Sequence, residues 1–183
     1  MDADELTRLV TRARARDSGA YDQVVRRFQD MAVGYSYTFL GDFHLAQDAA
    51  QEAFLDAYLN LPKLREPRAF AAWFRRVVLK QCDRLIRGKR PATVPLDEAA
   101  DVAVRGSDPA EVAERAEMQK IVRDAIGVLP EHERAVTVLF YISAYSHQEI
   151  SAFLGIPVTT VKSRLHYARK ALAQTLSAAR REG

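Results

Sequence analysis

The chain has 183 residues, 48% of them hydrophobic and 28% charged, with a formal net charge of +3. That is enough apolar material for one domain or two small ones, and the total charge by itself says little about nucleic acid. The single cysteine, Cys82, excludes an intramolecular disulfide and suits a reducing cytoplasm. No apolar run reaches the length of a membrane span, and Asp2, Asp4 and Glu5 make the N-terminus unlike a signal peptide.

In chain order, helical periodicity predicts a short helix from about Ala3 to Arg16, with Leu6, Leu9, Val10 and Ala13 on its inner face. Ser18 and Gly19 punctuate it. In the next helix Tyr21, Val24, Val25, Phe28, Ala32, Tyr35 and Phe39 share one face, and Gly41 ends it. Asp42 is placed to cap a third helix, about Phe43 to Asn60, whose apolar candidates are Leu45, Ala49, Phe54, Leu55, Tyr58 and Leu61. Pro62 and Pro67 bracket a short loop, and a fourth helix follows from about Arg68 to Arg87. The stretch from Gly88 to Pro109 holds Gly88, Pro91, Pro95, Gly106 and Pro109, turns acidic and lacks large aromatics, so residues 91–108 are expected to be a flexible interdomain linker. Asp108, Pro109 and Glu111 restart a helix that buries Val112, Ala116, Ile121, Val122, Ala125 and Ile126. Pro130 begins another, packed through Val136, Leu139, Phe140 and Ile142. No stretch alternates with period two, so the expectation is an all-α chain of two small helical domains, 1–90 and 109–183.

The most informative stretch is Ser146 to Leu172. Ser146 and Glu149 have capping-box spacing, Ile150, Phe153 and Leu154 fall at helical spacing, and Gly155 provides the stop. Ile156 and Pro157 connect to a second helix starting near Thr159 or Thr160, with Val161, Leu165, Ala168 and Leu172 on one stripe. Helix, glycine turn and helix make a helix-turn-helix. The other side of its second helix carries Lys162, Ser163, Arg164, His166, Tyr167, Arg169 and Lys170 with no acid among them. Such a face suits the major groove, where cations meet phosphates and polar side chains reach base edges. An ordinary solvated basic face is the bland alternative, and the agreement of cap, turn, stripe and charge weighs against it.

Two surfaces stand out in the first half. Asp48, Gln51 and Glu52 lie side by side on the outer face of the third helix, which on periodicity alone is a solvated face. Between Lys63 and Arg90 the bases Lys63, Arg65, Arg68, Arg75, Arg76, Lys80, Arg84, Arg87, Lys89 and Arg90 outweigh Glu66 and Asp83. Phe70, Trp73 and Phe74 are interleaved with them. Cations beside stacking aromatics suit single-stranded nucleic acid, although Phe70, Trp73, Val77 and Leu85 have the spacing of core residues.

Gly41-Asp42, then Asp48-Ala49-Ala50-Gln51-Glu52-Ala53-Phe54-Leu55 and Phe70-Ala71-Ala72-Trp73-Phe74, resembles the second conserved region of bacterial sigma factors. Leu129-Pro130, Arg134, Ser146, Glu149-Ile150, Leu154-Gly155-Ile156-Pro157 and Thr160-Val161-Lys162-Ser163-Arg164-Leu165, ending in Ala168-Arg169, resembles the fourth. With a short linker in place of a third region, nearly the whole chain is similar to an extracytoplasmic-function (group four) sigma factor. The resemblance implies that Asp48, Gln51 and Glu52 dock on a coiled coil of the polymerase β′ subunit. It implies that the loop with Lys63, Leu64 and Arg65 takes a flipped base of the minus-ten element. Arg68, Trp73, Arg75, Arg76, Lys80, Arg84 and Arg87 would hold the melted strand. Thr160, Lys162, Ser163, Arg164, His166, Tyr167, Arg169 and Lys170 would meet the minus-thirty-five duplex. The implied partners are core RNA polymerase (β′ and β), promoter DNA and an anti-sigma factor, with no cofactor or metal and a cytoplasmic location. The chain ends soon after its last helix, so no C-terminal regulatory domain is expected.

The sequence departs from the family pattern at Lys80, where Asn is common, at Ile86, where the family's Asp-x-x-Arg would place Arg, at Thr159, where Gly usually precedes Thr-Val, and at Ala144, where Gly often precedes the serine. One rival reading is a polymerase-independent helix-turn-helix regulator with a helical sensing or dimerisation domain, which leaves Asp48, Gln51 and Glu52 and the basic fourth helix unexplained. An enzyme is the other. The four histidines are scattered without metal-ligand spacing, and no glycine-rich phosphate loop is present.

Overall fold

The computed structural model describes residues 3–88 and 109–182, and all regular structure among them is helical. The first half holds α1 (Ala3–Arg14), α2 (Ser18–Leu40), α3 (Phe43–Asn60) and α4 (Phe70–Gly88). The second holds α5 (Pro109–Gly127), α6 (Glu131–Thr137), α7 (His147–Leu154) and α8 (Val158–Glu182). Two 3-10 turns, Leu61–Lys63 and Pro67–Ala69, lie between α3 and α4, and a π turn over Val138–Ile142 continues α6. The linker predicted over 91–108 lies outside the described residues.

Short polar side chains set the helix starts. Asp17 accepts from the Ala20 amide at 3.0 Å and Asp42 from that of Leu45 at 2.9 Å, each satisfying an amide that has no partner within its helix. In α7 the capping box is complete: the Glu149 amide donates to Ser146 Oγ, and the Ser146 amide to Glu149 Oε2. Gly155 ends α7 with φ 69°, a left-handed conformation that a Cβ would strain.

Within the first half, α3 packs through alanines. Ala46, Ala49, Ala50, Ala53 and Ala57 are buried, Leu45, Phe54 and Tyr58 half-buried, and Leu55 is 61% exposed, contrary to its expected place in the core. Side chains this small let the α3 backbone approach α2 closely, and that contact turns the larger Leu55 outward. The inner face of α4 is likewise rotated from the expected one. Phe70, Phe74, Val78 and Cys82 are fully buried, while Trp73, Val77 and Leu85 lie at its margin. Burial also pushes the Cys82 thiol above its ordinary pKa, so it is an inert core residue. In the second half Val136, Val138 and Leu139 are buried, but Ile142 is 61% exposed and Val122 40% exposed. A π turn carries more residues per turn than an α-helix, which throws Ile142 out of phase with the packing side.

The two halves share one hydrophobic core. Phe153 of α7 is fully buried, edge-on to Tyr35 (5.3 Å) and tilted against Phe28 (6.5 Å). Phe28 in turn meets Phe70 and Phe74 edge-on. The Tyr145 hydroxyl accepts from the Met31 amide at 3.1 Å and donates to the Arg27 carbonyl at 3.0 Å, so it bridges the two ends of one turn of α2. Burial raises the pKa of that phenol and keeps it a donor. The Arg27 guanidinium lies over the Tyr145 ring and pairs with Glu149. Gly34 makes the close approach possible: a Cβ there would sit 2.6 Å from Ser143 Oγ.

Candidate nucleic-acid and partner interfaces

The helix-turn-helix forms as its sequence predicts. Ile150 and Phe153 of α7 and Val161, Leu165 and Ala168 of α8 are buried together. Ser151 closes the turn by accepting the Gly155 and Ile156 amides on its carbonyl and donating its hydroxyl to the Ile156 carbonyl. The helix α8 starts earlier than expected, at Val158, because the Pro157 carbonyl already accepts from Thr160 and Val161. Thr159 is therefore inside the first turn and not a cap. Lys162, Ser163, His166, Tyr167, Arg169 and Lys170 are exposed along one side, with Thr160 and Arg164 half-buried at its border. Ser163 donates its hydroxyl to the carbonyls of Thr159 (3.1 Å) and Thr160 (3.2 Å). Its proton is thus engaged within the helix, and the oxygen faces outward as an acceptor.

The Pro62–Pro67 loop has distinct inner and outer sides. Leu61 and Leu64 are buried, whereas Lys63, Arg65, Glu66 and Arg68 are exposed. Leu64, expected among the minus-ten contacts, is 8% exposed and anchors the loop to the core. Its apolar side chain lies on the inner side with Leu61, away from the exposed Lys63, Arg65 and Glu66. Lys63 Nζ donates to Asn60 Oδ1 at 2.8 Å and Arg68 lies 3.8 Å from Asp4. The loop carries a tie the sequence did not reveal. Arg14, the last residue of α1, donates from Nη1 to the carbonyls of Leu64 (3.0 Å) and Arg65 (3.1 Å). Fifty residues separate Arg14 from Leu64, so no local pattern could have found it.

The basic residues of α4 have different surroundings. Arg76 and Arg87 are exposed, and Arg87 Nε bonds the Asp83 carbonyl of its own helix. Arg75, expected to face a DNA strand, is half-buried with Nη1 3.4 Å from the Tyr35 hydroxyl, because its register on α4 turns it towards α2. Lys80 pairs with Asp56 at 3.0 Å and Arg84 with Glu52 at 3.1 Å, both across to α3. The Arg84–Glu52 pair is exposed on both members and contributes only ~0–1 kcal/mol, so a stronger ligand can displace it, whereas Asp56 is part-buried and also bonded by Gln81 and Asn60. Trp73 is half-buried and tilted on Phe70, leaving part of the indole at the surface.

Along α3 itself, Asp48, Gln51 and Glu52 are exposed together, with Glu52 on the border that reaches Arg84. Leu55 and Leu59, 61% and 66% exposed, continue that face at spacings of one and two further turns. The apolar extension was legible as i, i+4, i+7 and i+11 from Asp48, but the size of the leucines points to a core reading. Acid and leucine on one stripe suit a partner helix carrying bases and apolar side chains.

Comparison with known proteins gives the arrangement its context. The Sigma-70 region 2 family profile matches residues 24–91 and the Sigma-70, region 4 profile residues 119–172. The chain is 33% identical over 169 residues to the ECF RNA polymerase sigma factor SigW of Bacillus subtilis, covering 87% of this chain and 90% of that one. It is 33% identical over 183 residues to the RNA polymerase sigma-H factor of Pseudomonas aeruginosa, covering 95% of each. Identity to the ECF RNA polymerase sigma-E factor of Escherichia coli (strain K12) is 31% over 175 residues, 90% of each chain. Among solved structures, CnrH in complex with the cytosolic domain of CnrY superposes with a TM-score of 0.65 at 27% identity over 97% of this chain and 99% of that one. The sigma factor RpoE bound to the anti-sigma factor NepR from Bartonella quintana, at 18% identity and a TM-score of 0.54 over 86% of this chain and 96% of that one, shares the fold. By these matches, which run through both helical halves, the chain belongs to the extracytoplasmic-function (ECF) RNA polymerase sigma factors, the promoter-specific factors of transcription initiation.

Proposed function

We propose that this sigma factor works in the cytoplasm without covalent chemistry, docking on core RNA polymerase through the α3 face of Asp48, Gln51, Glu52, Leu55 and Leu59. The exposed side of α8 reads the minus-thirty-five duplex, and the Pro62–Pro67 loop with the outer bases of α4 captures the melted minus-ten strand. The division into residues 1–90, 91–108 and 109–183 follows from these tasks. The observation that carries the reading is the separation of three surfaces of different chemistry on one chain. An acidic and apolar face suits a protein, a basic helix face suits duplex DNA, and a proline-bracketed loop flanked by cations suits a single strand.

Unstacking a base costs on the order of a few kcal/mol, and stacking it on a protein aromatic returns ~1–3 kcal/mol. Capture therefore roughly offsets opening, and preference arises from the fit of one base. The two elements lie ~25 base pairs apart, which at ~3.4 Å per pair is roughly 85 Å. A compact chain of this length is roughly 40 Å across. The halves, joined here through Phe153 and Tyr145, must therefore part before both elements are bound at once. A partner that holds the closed form, an anti-sigma factor, would keep the factor silent, and the similar CnrH is likewise found in complex with another protein, the cytosolic domain of CnrY.

The test is a gel shift on promoter DNA with and without core polymerase, followed by promoter selection. Binding that depends on core polymerase is expected, and unaided binding of a duplex as a symmetric dimer would overturn the reading. Arg164→Ala is expected to relax preference at one minus-thirty-five position by ~1–3 kcal/mol. Lys162→Ala should weaken binding across sequences and reduce the salt slope by about 1. An unchanged selected sequence with Arg164→Ala would remove that side chain from base reading.

A further inference from the structure

We infer that Arg14, a residue of α1 remote in sequence from either DNA-reading surface, is the positioning residue that holds the minus-ten loop in its base-accepting form before any strand arrives. The inference rests on the loop reading above. Arg14 is half-buried beneath the loop and directs one guanidinium nitrogen at the consecutive carbonyls of Leu64 and Arg65. Bonds from a charged donor are stronger than those between neutral groups, and fixing two consecutive carbonyls fixes the peptide planes on both sides of residue 65. Those planes set the direction of the Arg65 side chain and, through the 65–66 peptide, bear on that of Glu66, both of them exposed.

The rest of the loop leaves that role open for Arg14. The Leu64 amide bonds the Leu61 carbonyl at the start, and the Ala69 amide bonds the Glu66 carbonyl at the end. Pro62 and Pro67 stiffen the two shoulders. Neither arrangement constrains the carbonyls at 64 and 65, which are at the turn of the loop. A pocket that discriminates one base must hold its shape to a fraction of an ångström, since a loose pocket accepts any base that can rearrange it. α1 is itself secured at this end, with the Arg16 guanidinium 5.1 Å over the Tyr58 ring, so the strut has a firm base.

The experiment uses holoenzyme assembled from core polymerase and the full chain, with a promoter library randomised across the minus-ten element and first selected with the wild-type protein. Arg14→Met keeps the aliphatic stem and removes the donors. It is expected to flatten preference roughly tenfold at one minus-ten position, leaving the other positions and the minus-thirty-five profile as they were. Because the readout is a ratio between templates, a lower folded fraction does not change it, so a merely structural role would leave the wild-type preference unchanged. Arg14→Lys, a second variant that keeps the charge and a donor, is expected to restore most of the preference. Lys63→Ala and Arg65→Ala serve as controls on the loop itself. If they alter the profile and both Arg14 variants leave it intact, the positioning role is wrong while the loop reading stands. If none of the variants alters it, the loop reading fails and the inference with it.

Discussion

Ala144 has φ 55°, in the left-handed region where a Cβ is strained, at a position where the family pattern leads one to expect glycine. The strain is retained because the next residue, Tyr145, must reach back to α2 while Ser146 opens α7. Ala144→Gly relieves ~1–2 kcal/mol of strain and adds ~0.4–1 kcal/mol of unfolded-state entropy. The expected net is a gain of roughly 0.5 kcal/mol, seen as a rise in Tm of one or two degrees; a lower Tm would contradict it. The departure from family pattern was visible in the sequence, but its physical content was not, because φ is set by where Tyr145 has to go. Arg14 and Leu64 make the same point. A half-buried guanidinium aimed at carbonyls far along the chain, and a leucine turned inward within a basic loop, have no local signature.

The helices themselves were legible because caps and periodicity agree on them. Asp42 before α3, the Ser146–Glu149 box before α7 and Gly155 after it were placed from residue type alone, and each cap bond is present. Asp17 caps α2 and also pairs with Arg12 at 2.8 Å. The Ala20 amide and the Arg12 side chain hold its carboxyl below the ordinary value of 3.8. A carboxyl with a depressed folded pKa contributes its full stability above the unfolded value and loses it as the pH falls through the folded one. Asp17→Asn is therefore expected to lower Tm at neutral pH, with the gap to wild type closing as the pH drops below 3.8. A gap independent of pH would show that the charge has no part in the cap. What periodicity misread was the phase of α3 and α4. Five alanines outweigh Leu55 as the α3 interface, since close backbone approach buries more than one large side chain can.

At the scale of the whole molecule, the contact between halves had no sequence signal, because Phe153 and Tyr145 look like the private core of a small domain. Gly34 gives a way to break that contact selectively. Any side chain there projects towards Ser143 and Val138 of the other half. Within α2, by contrast, replacing glycine with glutamine favours the helix by up to ~1 kcal/mol. Gly34→Gln is expected to raise the radius of gyration in solution scattering above the roughly 16 Å of a compact chain this long, with helicity unchanged or higher and faster association with core polymerase. An unchanged radius would mean that the seam tolerates the insertion. The Glu52–Arg84 pair bears on order of assembly. It joins a carboxylate on the helix proposed to meet the polymerase to a guanidinium on the one proposed to face the strand, and each neutralises the other while the pair is closed. Whichever ligand takes one member unmasks its counterpart, so arrival of the enzyme at Glu52 would hand the nucleic acid an additional positive charge at the moment it becomes useful.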